Sequence, residues 1–219
     1  MQGEHRGHAG KLLIGLPVLS NLLSFIIFAP LLAPGRAATA ADFRRAGILL
    51  AVGLLVVEAT ALLTIALSLH RRNRSLMSVV NLHPNRLPLY VSTGLLVLVP
   101  TLAAGWLYSL AQAQTGMEAG FSRLSQGDIA YWYVLMPVAA AFLEETIWRG
   151  YAIPRTRGRW RALLFSSLSF ALFHGIFNPL AVAATLLQGL VWGWTYQRTE
   201  STMPSMALHF LSRYLILAF

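Results

Sequence analysis

The composition of the 219-residue chain is that of a membrane protein, because 56% of its residues are hydrophobic and only 11% are charged, against about 25% charged residues in soluble domains. Cysteine is absent, which excludes disulfides, thiolate metal sites and a cysteine nucleophile. The net charge of +9 indicates loops that face anionic lipid, and nucleic acid is excluded as a partner because no soluble module remains to bind it.

Seven apolar segments approach or exceed the length needed to cross the roughly 30 Å hydrocarbon core of a bilayer as helices. They are continuously apolar rather than alternating, which favours helices over the strands of a closed barrel. The sequence therefore predicts an all-α, polytopic integral membrane helix bundle with about seven transmembrane helices. The segments comprise residues 12–33, 46–69, 87–111, 129–149, 162–177, 178–197 and 205–219.

The first segment is preceded by Arg6 and Lys11, a feature shared by signal peptides and uncleaved anchors. Its apolar stretch exceeds the about 7 to 15 residues of a signal peptide, which favours an anchor. A cytoplasmic N-terminus places most loop arginines, including those of residues 71–74 and 155–161, on the cytoplasmic side, as the positive-inside rule requires. We therefore predict an integral protein of the bacterial inner membrane.

Few ionisable residues lie inside these segments, and each is a functional candidate because an Asp, Lys or Arg at a helix centre costs about 2.5 to 3.5 kcal/mol on insertion scales. The fourth segment contains Glu144, Glu145 and Arg149. The spacing predicts that Glu145 and Arg149 meet on one helix face, whereas Glu144 points about 100° away. An acid without that partner is a candidate general base, although an ion pair that only anchors the helix end explains the same residues.

Two later segments each carry a histidine. His174 ends the run that begins at Phe170, and His209 precedes Arg213 by four residues. A lone histidine at a helix end is ordinarily a packing residue, and an arginine can extend toward the membrane surface. Counted at 1.5 Å per residue, however, Glu144 and both histidines fall in the cytoplasmic half or near the midplane of the bilayer. They are therefore predicted to line one cavity that opens to the cytoplasm.

This ordered set of motifs resembles the CPBP family of glutamic intramembrane proteases, which includes type II CAAX prenyl endopeptidases, bacteriocin-processing and immunity proteins, and myxosortases. The family pattern is EExxxR, then FxxxH, then HxxxN or HxxxD on successive helices. Residues 144–149, residues 170–174 and His209 match it in that order. The resemblance covers residues 129–219, a predicted catalytic core of about four helices, and leaves residues 1–128 as an N-terminal region of about three transmembrane helices.

The resemblance implies that Glu144 is the general base for a water, that His174 holds this water or completes the dyad, and that His209 helps to stabilise the oxyanion. Glu145 and Arg149 would support the site through their pair. The family cleaves peptide bonds without a known zinc requirement, which implies no cofactor. HExxH is absent, yet one carboxylate and two histidines leave a divalent metal site open as an alternative.

One position departs from the family pattern. The family has Asn or Asp four residues after the histidine of the third motif, and this chain has Arg213. A guanidinium can donate to an oxyanion, bind a substrate carboxylate or extend to the membrane surface, and these roles stay open. Phe170, which opens the second motif, is a further supporting residue.

The sequence thus predicts an intramembrane endopeptidase that acts on a membrane-associated protein or peptide. Prenylated CAAX tails, leader peptides and sorting tags all suit such a site. The alternative is a non-catalytic immunity or scaffold protein that binds a partner helix or peptide. A solute transporter with Glu58 as its coupling site lacks support, because no matching broken helices occur in two halves of the chain. A rhomboid-type serine nucleophile lacks its glycine frame at Ser166, Ser167 and Ser169.

Overall fold

A computed structural model of the chain describes residues 2–34, 38–114, 136–176 and 178–217. Over these residues the fold is all-helical and contains no strand, as predicted. Two short 3₁₀ helices, Ala29–Leu31 and Pro84–Arg86, lie between longer elements. The helices are α1 (Gln2–Phe28), α2 (Ala40–His70), α3 (Met77–Val80), α4 (Leu87–Gln114), α5 (residues 136–155), α6 (Arg159–Phe173), α7 (Pro179–Thr199) and α8 (Met203–Leu217).

Three of the described segments are long and apolar enough to cross a membrane: His8–Leu31, Ala41–His70 and Met77–Ala111. They correspond to the first three predicted spans, and they point to an integral membrane protein. The predicted total of seven spans is not confirmed. Helices α6 and α8 have 15 residues each, which is about 22 Å at 1.5 Å per residue and short of the roughly 30 Å hydrocarbon core.

Helix α5 changes its winding inside the first motif. It is α-helical over Met136–Glu144, π-helical over Glu145–Ala152 and α-helical again over Ile153–Arg155. The sequence predicts an ordinary helix here, so the π-helical segment is a difference between expectation and structure. In a π-helix each hydrogen bond spans five residues instead of four, and such segments are frequent at functional sites.

The π-helical segment is enclosed on all sides, since every residue from 145 to 152 is buried. Helices α1, α2, α3, α6 and α7 all contact it. The absence of a side chain at Gly150 lets α5 lie close to Val79 and Thr202. An added Cβ would lie 2.8 Å from the carbonyl oxygen of Val79 and 2.9 Å from Cγ2 of Thr202. The adjacent carbonyl of Val80 accepts hydrogen bonds from the amide and hydroxyl of Thr202, at 3.1 and 3.2 Å. These contacts fix the start of α8 against α3 and α5.

Helix α7 lies at the centre of the C-terminal half and packs against α4, α6 and α8. Two glycines in a GxxxG pattern bring α6 and α7 together. A Cβ added at Gly189 would lie 2.9 Å from Cα of Ser167, and one added at Gly193 would lie 2.5 Å from Cδ1 of Leu163. The helix that carries His174 is thereby held close to α7.

The substitution Gly189→Ala should lower the free energy of unfolding by about 1 to 3 kcal/mol, because the new methyl group meets backbone that cannot move aside. Gly94→Ala is the matched control, since nothing lies within 4 Å of a Cβ there and alanine favours a helix by up to about 1 kcal/mol over glycine. Denaturant unfolding in detergent measures both. Equal stability of the two variants would contradict the close packing of α6 and α7.

Candidate active site

Three helices bring Glu144, His174 and His209 together. Glu144 ends the first part of α5, His174 directly follows the last residue of α6, and His209 lies within α8. Oε2 of Glu144 lies 3.7 Å from Nε2 of His174 and 3.7 Å from Nε2 of His209. The three side chains are 5%, 12% and 1% exposed, respectively. One buried carboxylate oxygen therefore faces both imidazole rings.

The ring of His174 is oriented by its own helix. Its Nδ1 lies 2.9 Å from the carbonyl oxygen of Phe170. Because a carbonyl only accepts hydrogen bonds, Nδ1 carries a proton and Nε2 faces Glu144. The ring of Phe170 also packs against His174, with 4.5 Å between the ring centroids. The first and last residues of the FxxxH motif are thus in direct contact.

The ring of His209 is held between the two adjacent acids. Its Nδ1 lies 3.2 Å from Oε1 of Glu145, while its Nε2 faces Glu144. Trp192 stacks on the ring with 4.2 Å between centroids and 22° between planes, and Phe170 meets it edge-on at 6.2 Å. Stacking on one face and a carboxylate at Nδ1 leave Nε2 as the atom directed into the site.

Glu145 and Arg149 form an ion pair, with 3.2 Å between Oε1 and Nη1, and both side chains are 0% exposed. The guanidinium also lies over the rings of Phe170 at 4.3 Å and Trp192 at 5.6 Å, within the range of cation–π attraction. Removal of one partner from a buried ion pair typically costs about 3 to 5 kcal/mol, because the other charge stays buried without compensation. The pair therefore fixes the carboxylate that orients His209.

The carboxylate of Glu144 is not hydrogen-bonded directly to either ring. Within the described part of the chain, Oε2 of Glu144 and Oε2 of Glu145 have no hydrogen-bond partner. The 3.7 Å separations exceed the usual range of about 2.7 to 3.2 Å. Buried polar atoms without a partner are rare in native proteins, and a catalytic role is one of the recognised reasons for them.

Serines of α6 hold the π-helical segment in place. Oγ of Ser166 donates to the carbonyl of Trp148 at 2.7 Å, and Nε1 of Trp148 donates to Oγ of Ser169 at 3.0 Å. Trp148 lies between Glu145 and Arg149 in sequence, so these bonds anchor the stretch that carries the ion pair. The sequence suggests these serines only as nucleophiles, because their supporting contacts depend on a neighbour about twenty residues away.

Helix α1 holds the end of α6 next to the site. Nδ2 of Asn21 donates to the carbonyl of Leu172 at 2.7 Å, and its Oδ1 accepts from the amide of Ile176 at 3.2 Å. The hydroxyl of Ser20 donates to the carbonyl of Phe173. The last carbonyls of a helix have no partner within it, so these bonds satisfy the chain on both sides of His174. The only sequence signal was a polar pair inside an apolar span.

The structure does not assign the remaining candidates. Arg213 lies on α8 four residues after His209, but its side chain falls outside the described residues, and its role stays a prediction. Glu58 is buried in α2 with 2% exposure, and the structure assigns it no role.

Residues 126–215 match the family model of type II CAAX prenyl endopeptidases, Rce1-like. The match contains all three motifs and leaves α1 to α4 outside it. No curated protein and no solved structure gives a match. This part of the chain is therefore similar to an Rce1-like domain, and the matched family is one of proteases.

The substitution Asn21→Ala should lower the free energy of unfolding by about 1 to 3 kcal/mol, because it removes two hydrogen bonds to the end of α6, each worth about 0.5 to 1.5 kcal/mol. Hydrogen exchange at the amide of Ile176 should accelerate in the same variant. Thr60→Ala is the control, since Oγ1 of Thr60 bonds only the preceding turn of its own helix, at 2.7 Å from Val56 O on an exposed face. If Asn21→Ala lowers the free energy of unfolding no more than Thr60→Ala does, α1 does not stabilise the end of α6.

Proposed function

We propose that this chain is a glutamic-type intramembrane endopeptidase that hydrolyses a peptide bond of a membrane-associated protein or peptide. The observation that carries the proposal is the single oxygen of Glu144 that faces both imidazole rings at 3.7 Å. The family match supports the protease activity but not the glutamic mechanism, since the matched family is one of proteases.

A water molecule suits the chemistry of the gap between Glu144 and His174. With Nδ1 bonded to a backbone carbonyl, Nε2 of the neutral ring presents a lone pair, and a carboxylate also only accepts. A water that donates one hydrogen to each would bridge them. As its oxygen bonds to the scissile carbonyl carbon, the carboxylate takes a proton and the carbonyl π electrons move to oxygen.

His209 is placed to act on the resulting oxyanion. Because its Nδ1–H faces Glu145 at 3.2 Å, Nε2 donates only when the ring carries both protons. The neighbouring carboxylate then balances the charge of the imidazolium. A positioned donor to an oxyanion is worth about 2.7 to 4 kcal/mol in catalysis. Proton transfer from Glu144 to the leaving amine and cleavage of the C–N bond would complete the hydrolysis.

The membrane arrangement is part of the same proposal. We infer that α5 to α8 lie in the bilayer beside the three long apolar spans, with the N-terminus in the cytoplasm of a bacterium and the chain in the inner membrane. Residues 129–219 would form the catalytic core and residues 1–128 the N-terminal region. The arginines of residues 71–74 and 155–161 support this orientation through the positive-inside rule.

A metal-dependent hydrolysis would use the same three side chains. The described residues contain no group of three or more His, Asp or Glu side chains in a metal-binding arrangement. Two imidazoles and one carboxylate are nevertheless the donor set of many catalytic zinc sites. The two mechanisms therefore differ in one direct way, which is the response of the activity to a chelating agent.

The variants Glu144→Ala and His174→Ala should each lower cleavage by at least about 100-fold, because the first loses the proton acceptor and the second loses a group that positions the attacking water. The substrate panel consists of a prenylated CAAX peptide, a leader peptide and a peptide with a C-terminal sorting tag. Mass spectrometry of the products, with the full chain in proteoliposomes, gives the rate and the cleaved bond.

Glu200→Gln is the matched control, because Glu200 is an exposed acid that pairs with Arg86 at 3.0 Å and contacts none of the three site residues. It should keep the cleavage rate within about twofold. Retained cleavage in both alanine variants would contradict the proposed dyad. A loss of activity on chelation that zinc restores would replace the water mechanism with the metal one. Binding of a peptide without cleavage by the unaltered chain would support the scaffold alternative.

A further inference from the structure

Outside the candidate active site, a cavity of about 550 Å³ lies between the turn after α2 and the end of α5. A second cavity of about 120 Å³ shares Arg74 and Arg155 with it and adds Arg72. Neither cavity is lined by Glu144 or by the two histidines of the site. The polar side chains around the larger cavity include Arg74, Ser78, Asn81, Arg155, Arg157 and Tyr196.

The charged residues that line these cavities are all arginines. None of the described residues that line them is acidic, and none of the four arginines lies within 4.0 Å of a carboxylate in the described part of the chain. Two arginines elsewhere form ion pairs, Arg86 with Glu200 at 3.0 Å and Arg149 with Glu145 at 3.2 Å. Arg72, Arg74 and Arg155 therefore lie close enough to repel one another, and an external anion in the cavity they line would relieve this repulsion.

Arg155 is fixed in the wall that the two cavities share. Its Nη1 donates to the carbonyl of Tyr151 at 3.0 Å, and its guanidinium lies over the Tyr151 ring at 4.0 Å. Burial lowers the pKa of Arg155, and the positive charges of Arg74 and Arg72 lower it further, whereas Tyr151 raises it. The remaining N–H groups of the half-buried guanidinium are donors for a ligand that enters the cavity.

The cavity lies where two candidate membrane spans end. Arg74 follows the span Ala41–His70, and Ser78 and Asn81 lie at the start of the span Met77–Ala111. Beside these polar residues the large side chains Met77 and Leu82 are 61% and 47% exposed. Phospholipid headgroups lie at the ends of spanning helices, with the acyl chains on the apolar side. Both parts of a phospholipid thus find a suitable surface here.

We propose that this cavity binds a phosphate group, and that its source is the headgroup of an anionic phospholipid. Guanidinium groups bind phosphate oxygens through paired, charge-assisted hydrogen bonds. The volume falls in the range of about 300 to 1,000 Å³ typical of small-molecule sites. Gly150 of the π-helical segment also lines the cavity, so the bound lipid lies directly behind the helix that carries Glu144. The proposal concerns binding and does not depend on proteolytic activity.

The test compares two double variants that each remove two positive charges from the same two regions of the chain. Arg74→Gln with Arg155→Gln removes arginines that line the cavity. Arg71→Gln with Arg161→Gln removes neighbouring arginines that line neither cavity. The full chain in a neutral detergent is titrated by calorimetry with short-chain phosphatidylglycerol and, separately, with inorganic phosphate.

The unaltered chain should bind phosphatidylglycerol, the cavity variant should bind it at least tenfold more weakly, and the control should stay within twofold. Equal weakening in both variants would show general charge attraction and overturn the site, as would no binding by the unaltered chain. If inorganic phosphate binds as tightly as phosphatidylglycerol, the proposal that the phosphate group belongs to a lipid headgroup is wrong. If the Arg155→Gln protein does not fold, Arg74→Gln with Arg157→Gln, both exposed, gives the same comparison.

Discussion

One carboxylate oxygen of Glu145 links α5 to α8 at the candidate active site. Its Oε1 lies 3.2 Å from Nη1 of Arg149 and 3.2 Å from Nδ1 of His209, so it joins the π-helical segment to α8. All three side chains are buried to 1% exposure or less, where a charge without its partner would cost several kcal/mol. The rotation of α5 against α8 is therefore constrained by charge pairing, and this places Glu144 in front of the second nitrogen of His209.

The rest of the fold supports that arrangement from outside the motifs. The close approach at Gly150 fixes the π-helical segment against α3, and the contacts at Gly189 hold α6 against α7. Asn21 on α1 bonds the chain on both sides of His174. Because α1 lies outside the matched residues 126–215, the geometry of the matched region depends on a helix that the family comparison does not include. The N-terminal helices are thus part of the site's structural support.

The sequence predicted the contacts that arise from local spacing. Glu145 and Arg149 meet as their separation of four residues requires, and the break at Asn178 and Pro179 separates α6 from α7. Apolar length also located the three long spans. Hydropathy could not establish the later helices as spans, because α6 and α8 are short and carry polar residues that face the interior of the bundle.

Features that depend on distant partners could not be predicted in this way. The π-helical winding is accompanied by contacts of Trp148 with Ser166 and Ser169. No periodic pattern in the sequence of α5 predicts this winding. The cavity between Arg74 and Arg155 joins segments about eighty residues apart, whereas the sequence treats each basic stretch as an orientation signal. In both cases the decisive contact is tertiary, and the residue types alone are compatible with several arrangements.

In the proposed mechanism Glu144 transfers a proton during hydrolysis and is not only a binding group. The variant Glu144→Gln keeps the shape and an acceptor oxygen but cannot act as a base. Substrate affinity and single-turnover cleavage measured on the same folded protein separate the two roles. Loss of the base alone predicts a dissociation constant within about threefold of the unaltered chain and a cleavage rate at least about 100-fold lower. Cleavage that stays within tenfold of the unaltered chain would contradict it.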